Sequence, residues 1–405
     1  MSDAAIDPFA PDALEHPYDL YRALRAGAPV HRIPESDLWM VSRYADLVEA
    51  AAKPEIFSSH ISAVIYAGQG PTPAVIQADP DAIGAVDVLA TADPPDHTAQ
   101  RKLMNRTFRP ARITELEGDV RALVDEHLDD AVARGAVEWM GALAVPLPVT
   151  IIAGVLGMPA QDLDDLRRWA DAGVDLLSGV ATQERMLECW QEMVAFLAYL
   201  RERLAAPQPG SITAEIAEAV ARGDLTEREG VSLLLQLVIA GSESTASLIG
   251  SATKMLAEND DLQKQLRTAP DGLPIFIEEA LRLESPFRGH FRVVTRETTL
   301  GGVTLPAGAR VMLMWGSANR DDSAFHEPDR IDLEREHPKM HVGFGSGIHF
   351  CLGAPLARME TRVTLERLLA RTSSFALIAE AAPPRHVPSL FVRRLEALEL
   401  ALEPA

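Results

Sequence analysis

The sequence predicts a mainly α-helical protein built as one large unit, with small β-sheets and a long central helix. Three observations lead there. Apolar residues recur with helical period over 113–204 and again over 213–221. From Thr226 a nearly uncharged helical pattern runs to about Glu258, roughly 30 residues or about 45–50 Å at 1.5 Å per residue. No internal repeat, low-complexity tract or Pro/Gly/Ser linker divides residues 1–405, and Pro207-Gln-Pro-Gly210 is only a loop.

Composition narrows the class. The 405 residues carry 38 Lys and Arg against 59 Asp and Glu, a net charge of −21. That balance argues against nucleic acid or an anionic membrane as the main partner. An apolar content of 47 % suffices for a large core and excludes global disorder, and the 5 % aromatic content suits helices better than a β-sandwich. Two cysteines, Cys189 and Cys351, exclude a disulfide scaffold and a zinc site made mainly of thiolates. The start, Met1-Ser-Asp-Ala-Ala-Ile-Asp7, has neither a basic nor an apolar leader region, so a soluble cytoplasmic protein is expected. The uncharged run 139–161 has the length of a membrane span, but Pro146, Pro148 and Pro159 break it. It reads as a buried turn leading into a core helix.

Taken in order, strand-like stretches fall at 30–33 and 38–41, ahead of the helices. Thr226-Glu-Arg-Glu229 is a capping box that starts the central helix, and Asn259 marks its stop. Between Glu229 and Lys254 the only charge is Glu243, and an ionisable group inside a buried helix needs a partner or a task. It sits in Ala240-Gly-Ser-Glu-Ser-Thr245, where Gly241 and the hydroxyls of Ser244 and Thr245 should loosen the helix and admit water or a small ligand. Alone, the segment reads equally as a packed kink with Glu243 in an ion pair. Further strands are expected over 291–313, with turns at Gly301-Gly302 and Pro306-Ala-Gly308.

The most informative stretch is His341-Val-Gly-Phe-Gly-Ser-Gly-Ile-His-Phe-Cys351-Leu-Gly353. Gly343, Gly345 and Gly347 permit positive φ and close backbone approach. A helix begins at Ala354 and runs to about Ala370, so Cys351 stands at a helix N-terminus, where unpaired N–H groups favour a thiolate. A thiolate on a glycine-rich turn suits a single axial metal ligand. The plainer alternative is a core cysteine beside a phosphate-type turn. Against it, no strand precedes the loop and no Lys-Ser/Thr pair follows.

These residues resemble the Phe-x-x-Gly-x-x-x-Cys-x-Gly haem loop of the cytochromes P-450, the haem-thiolate monooxygenases, in their soluble bacterial branch. The resemblance spans Pro17-Tyr-Asp-Leu-Tyr21 to Arg394-Leu-Glu-Ala-Leu398 and implies one catalytic domain over 1–405, a triangular helical unit. It implies haem b held by Cys351, with Phe344, Gly345, Gly353, Ala240 and Gly241 beside the ring and His97, Arg101, Arg292 and His349 on its propionates. His97 and Arg101 share a helix face at i, i+4, so both can reach one carboxylate. Glu279-Ala-Leu-Arg282 is similar to the family's buried Glu-x-x-Arg pair. The helix motif is similar to Ala-Gly-x-(Asp/Glu)-Thr, with one departure: Ser244 takes the usual Thr position and Thr245 follows. Serine keeps the hydroxyl but lacks the methyl that restricts its rotamer, which puts tight coupling of reductant to product in doubt.

What the resemblance implies for chemistry is reductive activation of O2, with Glu243, Ser244 and Thr245 delivering protons, and hydroxylation or oxidative demethylation of a small hydrophobic substrate. Gln236, Ile239 and Ala240 are expected on the helix face of Glu243, lining the substrate pocket. Phe287, Arg288 and His290 are expected there as well, as are Phe391 and Val392. A lid over 60–90 would add Ile61, Val64, Ile65 and Tyr66. Gln236, Arg288 and His290 are polar for such a site: they hydrogen-bond an oxygenated substrate, or else Arg288 and His290 contact the propionates or each other. With no flavin or iron–sulfur segment, electrons should come from NAD(P)H through a ferredoxin and its reductase, docking near Lys102, Arg106 and Arg109 on a monomer. The competing readings are a peroxide-using haem-thiolate enzyme and a haem-binding carrier or sensor without turnover, the latter leaving Glu243 unexplained.

Overall fold

The computed structural model describes residues 7–60, 63–66, 74–77 and 85–405. The periodic stretches fold as helices α1 (Asp96–Thr107), α2 (Glu117–Arg134), α3 (Pro146–Leu156), α4 (Leu163–Leu177), α5 (Gln183–Ala205), α6 (Glu227–Ala257), α7 (Leu273–Leu283) and α8 (Ala354–Arg371). The 31 residues of α6 begin at the expected capping box: the Thr226 hydroxyl accepts from the Glu229 N–H, and the Glu229 carboxylate accepts from the Thr226 N–H. Asn259 does more than stop this helix. Its side chain accepts from the Leu262 N–H and caps the next one, Asp260–Thr268.

Helix α6 is long and apolar enough to cross a membrane, yet 67 % of its apolar window is buried, packed against α3, α4, α5 and α8. Its apolar character all round is that of a core helix. It runs unbroken through Gly241, which corrects the expected loosening. The Ser242 and Ser244 hydroxyls donate back to the carbonyls of Val238 and Ala240, both at 2.7 Å, without opening a turn. What Gly241 permits is close packing, since a Cβ there would lie 3.0 Å from the Ile152 side chain of α3. Residues 139–161 are the expected turn and core helix: a wide turn over Met140–Ala144 feeds α3.

Five strands form one sheet: β1 (Val30–Arg32), β2 (Leu38–Val41), β3 (Phe57–Ser58), β4 (His290–Val294) and β5 (Arg310–Leu313), in the order β1-β2-β5-β4-β3. Only β2 and β5 run parallel. In β4 the two-residue period puts His290 and Arg292 on one face. A second sheet joins Thr372–Leu377, Glu399–Pro404 and Ala136–Glu138, the last a strand lying inside a stretch with helical periodicity.

Two buried ion networks hold the region around Cys351. Glu279 and Arg282, both fully buried, pair at 2.8 Å, and Arg335 adds a second guanidinium at 2.7 Å. Arg282 also donates to the carbonyls of Asn319 and Arg330, so its other guanidinium protons find buried acceptors as well. Next door, Glu278 takes His341 Nε2 at 2.8 Å and Arg358 at 2.6 Å, which hold its carboxyl down at about 2 against the opposing effect of burial. The Gly343 N–H donates to His341 Nδ1 at 3.0 Å, which leaves the His341 proton on Nε2 facing Glu278. Arg358 in turn lies 4.5 Å over the Phe344 ring. Helices α7 and α8 thus brace the cysteine loop from both sides.

Candidate active site

The cysteine loop depends on its glycines. Gly345 and Gly347 have φ of +76° and +69°, and a Cβ on Gly347 would fall 2.5 Å from the Ala51 carbonyl oxygen. The Cys351 N–H donates to the Phe344 carbonyl at 2.9 Å and closes the loop. The sulfur accepts from the backbone N–H groups of Gly353 and Ala354 at the start of α8. Burial pushes the Cys351 thiol above its ordinary value, while those N–H groups and the guanidiniums of Arg101 and Arg358 oppose the rise. The arrangement is that of a metal-ligand thiolate, ready for a cation to supply the missing charge compensation.

Above Cys351 lies a cavity of about 1380 Å³, counted together with the open solvent at its mouth. One face of α6 roofs it with Gln236, Ala240, Gly241, Ser244, Thr245 and Leu248. Phe344, Gly345 and Gly353 flank the sulfur. Among the described residues no carboxylate lines the cavity, yet His97, Arg101, His290, Arg292 and His349 all do. Burial depresses this set, and for His349 and His97 neighbouring positive charge adds to it: Arg292 falls to about 10 despite Asp93, His349 falls to about 3, and His97 is lowered too. The His97 and His349 rings lie 4.4 Å apart. His349 Nε2 meets the Ser59 hydroxyl at 2.9 Å, but its Nδ1 is buried without a partner. A concentration of donors with no acceptor is a place for an anion. Haem b fits these residues, with Cys351 for the iron and His97, Arg101, Arg292 and His349 for the two carboxylates.

Other expected site residues stand elsewhere. Glu243 faces the far side of α6, because at about 100° per residue it lies a quarter-turn and more from Ser244. It lines a separate crevice with Ser242, Ala246, Ala170, Asp171 and the exposed Arg167. There Arg394 approaches it at 3.2 Å and also pairs with Asp171 at 3.2 Å. Complete burial still wins, raising the Glu243 carboxyl to about 7. Ile239 turns away with Glu243, its side chain packed onto Gly173 of α4.

Arg288 reaches neither the cavity nor the expected partners. It is buried and donates to the carbonyls of Leu14 and Val392, tying down the N-terminal segment. Phe391 and Val392 form a second layer: the Phe391 ring packs at 4.8 Å on Phe287, which itself lines the cavity, and Val392 bridges to the Phe287 backbone. Of the lid residues, Val64, Ile65 and Tyr66 belong to a two-stranded ribbon packed on α4, outside the cavity wall; Ile61 lies outside the described residues. Gln236 lines the cavity, but its amide is committed: it donates to the Val88 carbonyl at 2.8 Å and accepts from the Ala90 N–H at 3.3 Å.

Among the residues that escaped the sequence reading, Trp315 and Arg394 matter most to the polar groups of the site. Trp315, just past β5, lines the cavity, and its Nε1–H donates to His290 Nδ1 at 2.7 Å. Its place after a buried strand facing β4 was the available signal. Arg394 had none, since nothing local links it to Glu243.

The geometry defines a class: proteins that grip a large dianionic cofactor by its edge and ligate it through one thiolate. Comparison with known proteins agrees. The profile of the family described as Cytochrome P-450 matches residues 273–392. Cytochrome P-450 144 of Mycobacterium tuberculosis is 40 % identical over 399 residues, 98 % of this chain and 91 % of that protein. Vitamin D(3) 25-hydroxylase of Pseudonocardia autotrophica is 34 % identical over 403 residues, 98 % of this chain and 96 % of that protein. The solved structure of cytochrome P-450 CREJ in complex with (4-ethylphenyl) dihydrogen phosphate aligns with a TM-score of 0.91 at 26 % identity, covering 99 % of this chain and all of that one (100 %). The chain belongs to the cytochrome P-450 family, whose members carry haem and use O2, and is a monooxygenase of its bacterial type.

Proposed function

We propose that this chain is a single, monomeric cytoplasmic unit that hydroxylates or oxidatively demethylates a small hydrophobic substrate, using electrons relayed from NAD(P)H by a ferredoxin reductase and a ferredoxin. The observation that carries the reading is the cavity itself, with the Cys351 sulfur on its floor and the Ser244 and Thr245 hydroxyls on its roof. When bound, thiolate-ligated haem supplies reductive activation of O2 and transfer of one oxygen atom to a C–H bond. The chain's residues do the rest. His97, Arg101, Arg292 and His349 orient the cofactor by its carboxylates. Ser244, whose own proton goes to the Ala240 carbonyl, presents lone pairs to the cavity, and Thr245, with no hydrogen-bond partner among the described residues, can both donate and accept. Glu243, near 7, exchanges a proton close to neutral pH and refills from the crevice behind α6.

The electron donor would dock at the basic residues of α1 and just after it. Lys102, Arg106 and Arg109 are exposed, and none has an ion-pair partner among the described residues. Near the sulfur, Ile348 and Phe350 are two of the few large apolar side chains left exposed, at 37 % and 42 %. A basic rim with an apolar centre fits an acidic ferredoxin. Thiolate ligation is tested by the reduced carbon monoxide complex of the purified holoenzyme. A red-shifted Soret band is expected; a histidine-type spectrum would overturn the reading. Activity with peroxide and none with ferredoxin and NAD(P)H would favour the peroxide-using alternative.

A further inference from the structure

The cavity's polar groups do not all belong to the cofactor, and the remainder has a definite chemistry. His290 and Arg292 project from the same face of β4, and both line the cavity. The His290 ring sits in an aromatic box, 5.1 Å from Phe287, 5.3 Å from Phe391 and 6.0 Å from Trp315. Trp315 Nε1–H donates to His290 Nδ1 at 2.7 Å. An indole can only donate, so Nδ1 must accept and the ring proton must sit on Nε2. Burial, with Arg292 adjacent, lowers His290 to about 3, so the ring stays neutral at any ordinary pH. Nε2–H is then a fixed, uncharged donor without a partner among the described residues.

The groups that could hold a charged substrate are absent or spent. Arg288 is tied to the carbonyls of Leu14 and Val392, and the Gln236 amide is used at both ends on the Val88–Ala90 turn. On the haem-thiolate reading, His97, Arg101, Arg292 and His349 are occupied by cofactor carboxylates. A cation fares no better inside, since no carboxylate lines the cavity among the described residues. A charged ligand of either sign would be buried unpaired.

We propose that the cavity selects neutral lipophiles bearing a hydrogen-bond acceptor, such as a ketone, lactone, ester or ether oxygen, which His290 Nε2–H holds, and that it rejects carboxylates and phosphates of the same skeleton. Two relatives differ on this point by name, one a vitamin D(3) hydroxylase and the other solved with an aryl phosphate; this chain falls with the first.

The test is spectral titration of the holoenzyme with matched pairs, free acid against methyl ester, on fatty (dodecanoate), aryl (4-phenylbutyrate) and steroid (cholanate) skeletons. The proposal rests on the class reading, so the reduced carbon monoxide spectrum is recorded first; loss of the red-shifted Soret band sinks the class, not the selectivity alone. With that band present, at least one ester should shift the ferric spin state and bind at least about tenfold tighter than its acid. Tighter binding of any acid, or no response to any ester, overturns the proposal. His290→Phe should weaken ester binding roughly 3- to 10-fold. Trp315→Phe, which leaves the imidazole in place but frees its tautomer, should weaken it in the same direction and leave acid binding unchanged. Should both variants retain wild-type ester affinity while losing haem more readily, His290 serves the cofactor and the proposal fails.

Discussion

At the scale of single residues, the position of Glu243 changes what the acid can do. It does not face the cavity, so on the proposed function it would supply protons through its neighbours Ser244 and Thr245 rather than touch a ligand. Its carboxyl is raised to about 7 by burial and pulled down by Arg394, so the protonated form is lost as pH rises through that value. We therefore expect the fraction of reductant converted to product to fall above about pH 7. Glu243→Gln should flatten that profile. Arg394→Leu, by removing the charge that lowers the acid, should move the limb to higher pH; an unmoved limb would detach Arg394 from proton supply. Ser244→Ala should lower coupling with little change in substrate affinity, read as peroxide formed per electron consumed.

Among the elements, the loop carrying Cys351 is set by contacts from α7 and α8, and its stiffness has a test. His341→Ala removes both the acceptor for the Gly343 N–H and one partner of Glu278. The reduced carbon monoxide complex of that variant should convert faster to the form lacking thiolate ligation. His341→Gln, which can both accept and donate, should restore much of the wild-type lifetime. Breaking the neighbouring pair by Glu279→Ala leaves Arg282 buried without its carboxylate, at a cost of about 3–5 kcal/mol in unfolding experiments. Sequence legibility follows the same divide between local and long-range causes. The start of α6, the glycine turn before Cys351 and the Glu279–Arg282 pair are written in short stretches, and each was readable. The helix face of α6 was misjudged because Ile239 and Glu243, each next in sequence to a cavity residue, are turned about 100° away from it. The destinations of Arg288, at Leu14, and of Arg394, at Glu243, depend on segments more than a hundred residues away. No periodicity encodes those.

For the molecule as a whole, two properties are measurable without a substrate. Glu360 of α8 is buried, its Oε2 has no partner, and burial raises it to about 8. The folded chain therefore holds a proton that the unfolded chain, near 4.5, has released, and stability falls as pH rises across that window. Glu360→Gln should raise the unfolding midpoint at pH 9 while changing it little at pH 5. The second property is charge placement. The net charge is −21, yet Lys102, Arg106 and Arg109 are close in sequence and all exposed, so on the proposed function association with an acidic donor should be steered to them. The second-order reduction rate should drop as salt rises from low to physiological levels, and Arg106→Glu should slow it and weaken the salt dependence.

One helix separates the cavity from the crevice that holds Glu243. With side chains, α6 is about 10 Å thick, and the two spaces lie on opposite flanks of it. On the proposed function, organic matter and protons would travel by different doors. A bulky molecule could fill the one without stoppering the other, and remodelling Phe287 or Leu89 for new substrates need not disturb the hydrogen supply. The exposed Arg167 lines the rear crevice, and a substitution there should slow turnover for every substrate alike.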